Sequence, residues 1–177
     1  YYTALGDSIP NGYSADGAMQ IENYPVLLTE DLQIINQVPV QLMQFTKNGL
    51  TTAKLNASFL TQSEVQEALA ASDVITLTIG ANDLMNEFKK VSREILGNES
   101  AFHTADEALQ ALQKGISDNP LLLVDVIGAI TGWDYDSFEE QWLLTVKSIH
   151  DLRKSDSQMA VTTIYNPVEK AELPGTL

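Results

Sequence analysis

The chain has 177 residues and a formal net charge of −14, from 24 acidic against 10 basic side chains, and it contains no cysteine. That balance argues against nucleic acid or an anionic membrane surface as partner, because both need clustered Lys and Arg. The missing thiols exclude a disulfide framework, a cysteine nucleophile and a Cys-ligated metal site. The length suits one domain with a full core.

Tyr1-Tyr2-Thr3-Ala4-Leu5 reads as a short strand. Gly6 breaks it, Asp7 and Ser8 follow, and Pro10-Asn11-Gly12 force irregular backbone through a loop to Gly17. Asn23-Tyr24-Pro25 predicts a helix start, with Leu27, Leu28, Leu32 and Ile35 on one face. Val38 to Phe45 reads as a second strand, interrupted early by Pro39 and closed by Lys47-Asn48-Gly49. Ser63-Glu64-Val65-Gln66 is a capping-box pattern that opens a short helix. Asp73 to Ile79 is the clearest strand: β-branched and nearly all apolar, as expected of a strand covered on both faces. It ends in Gly80-Ala81-Asn82-Asp83, and Leu84, Phe88, Val91 and Ile95 then mark a helix face.

Residues 97–136 read as an irregular helical insertion. Thr104-Ala105-Asp106-Glu107 caps one helix and Asn119-Pro120 starts another. Leu121 to Ile130 is apolar on nearly every side, which predicts a buried helix; the sharper alternative is a lid or acyl-binding wall. It contains Asp125 and is too short to span a bilayer. Ser137-Phe138-Glu139-Glu140 is another capping-box pattern, with Phe138, Trp142, Val146, Ile149 and Leu152 as one stripe. Met159 to Tyr165 is the next strand, followed by Asn166-Pro167. Strands alternating with helices imply right-handed crossovers and a parallel sheet with helices on both faces.

Three strands thus end in small, polar, loop-forming residues: Ser8, Asn48-Gly49 and Gly80-Ala81-Asn82-Asp83. In a parallel sheet these ends share one edge, where open α/β sheets bind ligands. Each block alone is ordinary turn chemistry. Together they supply the parts for attack on an ester carbonyl. Ser8 would be the nucleophile. The Gly49 N–H, the Asn82 carboxamide and the Ser8 N–H would hold the developing oxyanion.

On these blocks the chain resembles the SGNH hydrolases, also called the GDSL lipase/esterase family. Gly6-Asp7-Ser8-Ile9 matches the first block, with Ile for the last residue; Asn48-Gly49-Leu50-Thr51 matches the second, with Gln44 where many relatives have Asn; Gly80-Ala81-Asn82-Asp83 matches the third in full. The likeness covers most of the chain outside residues 97–136. It implies a three-layer α/β/α sandwich, flavodoxin-like, with a parallel sheet ordered 2-1-3-4-5 in the intact protein. It also implies ester hydrolysis through a serine acyl-enzyme without metal or organic cofactor, and structural roles for Asp7 and Asp83. A carbohydrate O-acetylesterase is the alternative within the family, which an open cleft with exposed aromatics such as Trp133 and Tyr135 near the site would favour; a catalytically dead binding module is the alternative outside it. The apolar helix near Leu121 inclines the reading toward a short or medium acyl chain.

The family's fourth block, an Asp-x-x-His, has no match here. His150 lies about 13 residues into its helix, roughly 20 Å toward the far edge of the sheet. His103 falls in the insertion with nothing nearby marking it as oriented. The catalytic Asp and His are therefore expected beyond Leu177, in a chain read as C-terminally incomplete, with a pseudoenzyme as the alternative. The expected place is extracellular or at a bacterial cell surface, with the cytoplasm as the alternative. The expected partner is a small-molecule, lipid or sugar ester, with no integral membrane segment.

Overall fold

A five-residue strand with every side chain buried needs a neighbour on each side and cover on both faces. Strand β1 (Tyr2–Gly6) is such a strand. In the computed structural model, which describes residues 1–14, 21–97, 102–133 and 135–162, it lies between β2 (Leu42–Thr46) and β3 (Val74–Thr78), with β4 (Gln158–Val161) beyond β3. Gly17, Tyr165 and Asn166-Pro167 lie outside the described residues. All three pairings are parallel, in the order β2-β1-β3-β4. Tyr2 stands opposite Leu42 and Val74, and Gly6 opposite Thr46 and Thr78, so β2, β1 and β3 end level.

The described helices are α1 (Tyr24–Asn36), α2 (Thr52–Lys54), which runs on into a π-helical turn at Leu55–Phe59, α3 (Ser63–Ala71), α4 (Ala81–Leu96), α5 (Ala105–Asp118), α6 (Leu122–Thr131) and α7 (Asp136–Leu152). The chain forms two compact units. One falls within Tyr1–Asn82 and Phe138–Ile164, and the other takes in Asp83–Ser137.

In the first unit the period of two along each strand separates two unlike sheet faces. One face is apolar. Leu5, Ile75 and Leu77 pack with Leu50 and Leu55 around α2, with Val65 and Leu69 of α3, and with Ile149 of α7; Trp142, Val146 and Leu152 continue the α7 stripe. The other face is hydroxylated. The Tyr2 hydroxyl and Thr76 Oγ1 lie 2.8 Å apart, Tyr24 of α1 reaches both Thr76 (3.3 Å) and Thr78 (2.8 Å), and Thr162 Oγ1 donates to Thr78 at 3.0 Å. Helices on both faces make this unit a three-layer α/β sandwich of flavodoxin-like strand order.

Several local expectations shift. β2 starts at Leu42 rather than Val38, because Pro39 has no N–H for a ladder and restricts the residue before it. On α1 the inward stripe is Pro25, Leu28 and Leu32, whereas Leu27 and Ile35 are exposed. The capping boxes expected at Ser63 and Ser137 do not form. Gln62 is the N-cap of α3 without a side-chain bond, and Ser137 sits inside α7. The box at Thr104 and Glu107 forms in both directions.

In the second unit, Leu112 and Ile116 of α5 and Val126 of α6 are buried together, with Phe88, Ile95 and Leu96 of α4 against them. Gly115 allows this approach: a Cβ there would stand 2.8 Å from Leu96 Cδ2. The two helices expected after Thr104 and after Asn119-Pro120 form as α5 and α6. The expectation of a buried α6 is corrected. Leu121, Val124 and Ile127 are 75, 68 and 54% exposed, because only one stripe of the helix meets a partner. Among the described residues no helix is long and apolar enough to cross a membrane.

The hydroxyl face carries a pH signature. Burial pushes the Tyr2 phenol up to about 12, against the lowering effect of its hydrogen bond with Thr76. The folded chain thus holds this proton after the unfolded chain has released it, so stability falls as pH rises from the ordinary tyrosine value near 10 toward 12. Urea midpoints measured from pH 9 to 11.5 are expected to fall more steeply in the wild type than in Tyr2→Phe. Parallel slopes would contradict the assignment.

Candidate active site

The first block begins where a side chain is forbidden. Gly6 has φ 151°, and a Cβ there would stand 2.1 Å from the carbonyl oxygen of Thr78 and 2.8 Å from Pro10 Cγ. The strand therefore leaves the sheet through a glycine, and the next N–H, that of Asp7, donates to that same Thr78 oxygen at 3.0 Å. Asp7 is buried, and its Oδ1 accepts the Ile9 N–H at 3.0 Å. This is an Asx turn that spans Ser8 and fits the structural role expected of Asp7. The Ser8 carbonyl accepts the Tyr13 N–H at 3.0 Å, and the Ile9 carbonyl that of Gly12 at 3.1 Å. Ser8 is half-buried, two residues past the end of β1.

The second block is a tight turn. Lys47 O accepts the Leu50 N–H at 3.1 Å, and Gly49 holds φ 73° at the third position, where positive φ is the mark of a type II turn. That closing bond uses Leu50 and leaves the Gly49 N–H outside the turn's own hydrogen bonding. A Cβ on Gly49 would meet nothing within 4 Å, so the space beside it is open. The third block starts α4. Asn82 stands in its first turn, and its Nδ2 donates to Leu50 O at 2.9 Å. A carboxamide nitrogen carries two hydrogens, and this bond uses one of them.

Side chains lace the first two blocks together. Gln44 Nε2 donates to Pro10 O and to Thr46 Oγ1, both at 3.0 Å; Thr46 Oγ1 donates to Asn11 Oδ1 at 2.8 Å; Asn11 Nδ2 donates to Asn48 Oδ1 at 2.8 Å. The Lys47 N–H adds a bond to Gly6 O at 3.0 Å. Asn11, Thr46 and the part taken by Gln44 were missed in the sequence. The cluster Pro10-Asn11-Gly12 signals a turn, but nothing in it names the neighbour across the edge.

The structure thus puts Ser8 and Gly49 on loops and Asn82 in the first turn of α4, all at one edge of the sheet, with the second loop bonded to the first through Asn11 and to α4 through Asn82. His150 is elsewhere. It lies on the last turn of α7, whose C-terminal end leads to Lys154, paired with Asp73 just before β3. That is the opposite edge of the sheet. His103 belongs to the second unit. Its N–H donates to Glu107 Oε2 at 2.8 Å, and its ring is exposed. Asp83 opens the part of α4 in that same unit.

Residues 4–150 match the GDSL-like lipase/acylhydrolase family. The chain is 35% identical over 119 residues to the spore germination lipase LipC of Bacillus licheniformis, an alignment that covers 66% of this chain and 51% of that protein. The chain therefore spans about half the length of that curated relative. The crystal structure of the lipase Lip_vut3 from a goat rumen metagenome superposes with a TM-score of 0.60 at 21% identity, over 97% of this chain and 67% of that one. At that identity the likeness speaks for the fold.

The two glycines differ in what they demand. Gly6→Ala places a methyl group against backbone and is expected to cost about 3 kcal/mol or more, overpacking added to unfavourable φ. Gly49→Ala meets open space and should cost about 1–2 kcal/mol for the left-handed conformation alone. Urea denaturation of both variants checks this order, and an equal or inverted pair of values would contradict the packing at Gly6.

Proposed function

The chain belongs to the GDSL-like lipase/acylhydrolase family, and on that premise we propose that it serves as a serine hydrolase of carboxylic acyl esters. Ser8 Oγ attacks the acyl carbon, the bond to the alcohol oxygen breaks, and the alcohol leaves with a proton. Water then cleaves the acyl-serine and restores the hydroxyl. The Ser8 proton needs an acceptor at neutral pH. His150, at the far edge of the sheet, is not that acceptor. The oxyanion of each tetrahedral intermediate is held by the N–H groups of Gly49 and Ser8 and by the second N–H of Asn82.

The observation that carries this reading is the bond from Asn82 Nδ2 to Leu50 O. It ties the carboxamide to the residue next to Gly49, so two donors of different chemistry are pre-set before any substrate arrives. Preorganisation of this kind is what makes an oxyanion site effective, since no donor has to reorient during the reaction. A sugar ester is the second reading. Within the second unit, the pair Trp133 and Tyr135, with ring centroids 4.9 Å apart and Tyr135 exposed, is of the kind on which a sugar ring stacks.

In the intact protein, Ser8→Ala is expected to abolish the burst and turnover of p-nitrophenyl butyrate. Asn82→Ala is expected to lower kcat by about 10²–10³-fold, the usual effect of one lost oxyanion donor. A full burst in Ser8→Ala would overturn the nucleophile. Faster release of acetate from acetylated xylo-oligosaccharides than of butyrate from the nitrophenyl ester would favour the second reading.

A further inference from the structure

Beside Gly49 the first unit has a cavity of about 250 Å³, roughly eight times the volume of a liquid water molecule. Leu50, which is buried, and Phe59, which is half-buried, give it an apolar floor, Ser58 adds a hydroxyl, and Lys47 and Lys54 stand exposed at its rim. Among the described residues, no carboxylate lines it. Among the described residues the ion pairs are those of Asp73 with the Tyr1 amine and Lys154, of Glu87 with Lys90, and of Asp151 with Lys147. Among the described residues, neither Lys47 nor Lys54 is therefore held in an ion pair.

This local charge runs against the rest of the molecule. With 24 acidic and 10 basic side chains, the protein's mean field repels anions. Two of those ten basic side chains nonetheless line the cavity beside Gly49. Two compact ammonium groups on flexible stems suit a carboxylate or a phosphate monoester, and the apolar floor suits the few methylenes that connect such a group to the reacting carbonyl.

We infer that this cavity is a specificity subsite for an anionic group carried by the ester substrate, a few bonds from the scissile carbonyl. The inference rests on the ester-hydrolase reading for the reaction, and on the cavity alone for the binding. Loss of the two charges is expected to lower the preference for an anionic ester by about tenfold, since an ammonium near a surface anion contributes up to about 1 kcal/mol, a factor of about five, for each lysine.

The test compares matched esters. Mono-p-nitrophenyl hexanedioate against p-nitrophenyl hexanoate sets the charge on the acid side; 3-butanoyloxy-4-nitrobenzoate against 2-nitrophenyl butanoate sets it on the alcohol side. In one of the two pairs the wild type is expected to show the higher kcat/KM for the anionic member, and this ratio should shrink in 0.5 M NaCl. Lys47→Gln with Lys54→Gln should lower the ratio about tenfold, and Lys47→Arg with Lys54→Arg should retain it. Ratios that are the same in the wild type and the Gln variant for both pairs would overturn the subsite and mark the lysines as solvated surface charges. A second readout is independent of turnover: monomethyl hexanedioate should shift the Gly49 amide resonance in the wild type and not in the Gln variant. If that shift occurs while the intact protein hydrolyses no ester, the subsite stands and the hydrolase reading falls. If the shift is absent or survives in the Gln variant, the subsite falls whatever the esters show.

Discussion

Between β1 and β3 there is no room for a side chain at residue 6. The Thr78 carbonyl oxygen occupies the place a Cβ would take, and it is also the acceptor that receives the Asp7 N–H as the chain leaves the sheet. One contact therefore ends the strand, starts the turn around Ser8 and fixes both against β3. On the other side the Gly6 carbonyl accepts from Lys47, the first residue of the turn that carries Gly49. Gly6 is thus the point at which the three loops of the candidate site are referred to one another. Backbone hydrogen bonds do this, and their lengths leave little freedom.

The side-chain bonds outside the sheet refine what Gly6 sets. Gln44, Thr46, Asn11 and Asn48 form a chain of donors and acceptors across the first two loops, and Asn82 closes the third onto Leu50. Each such bond adds about 0.5–1.5 kcal/mol net, so none of them creates the fold. Their effect is geometric. Reacting groups displaced by an ångström lose much of their advantage, and loops are otherwise the most mobile part of a sheet edge.

The two sheet faces divide the remaining work. The apolar face buries Leu5, Leu77, Val65, Leu69 and Ile149 in one cluster, the non-directional term that drives the unit together. The hydroxyl face bonds Tyr2, Tyr24, Thr76, Thr78 and Thr162 to one another, which is directional and specifies how α1 lies on the strands.

Much of this was legible in the residues. Gly6 and Gly80 each end an apolar run and Lys47-Asn48-Gly49 closes another, and the three strand ends and their polar blocks were read from that. The parallel order followed, because helices lay between the strands. These are local properties: a strand's apolar content and the glycine that stops it do not depend on distant partners. What tertiary structure decided was everything that needs a neighbour far along the chain. Helical spacing proposed Leu27 and Ile35 for the buried face of α1 and complete burial for α6. Periodicity tells how apolar residues repeat, but not which stripe finds a surface, and both helices turned out one-sided. The bond from Asn11 to Asn48 joins residues 37 apart, and that from Asn82 to Leu50 residues 32 apart. Such pairs exist only because parallel register brings Gly6, Thr46 and Thr78 level. That Lys47 and Lys54 line one cavity depends likewise on the turn at Gly49 and the helical turn after it, a curvature that no charge count along the chain reveals.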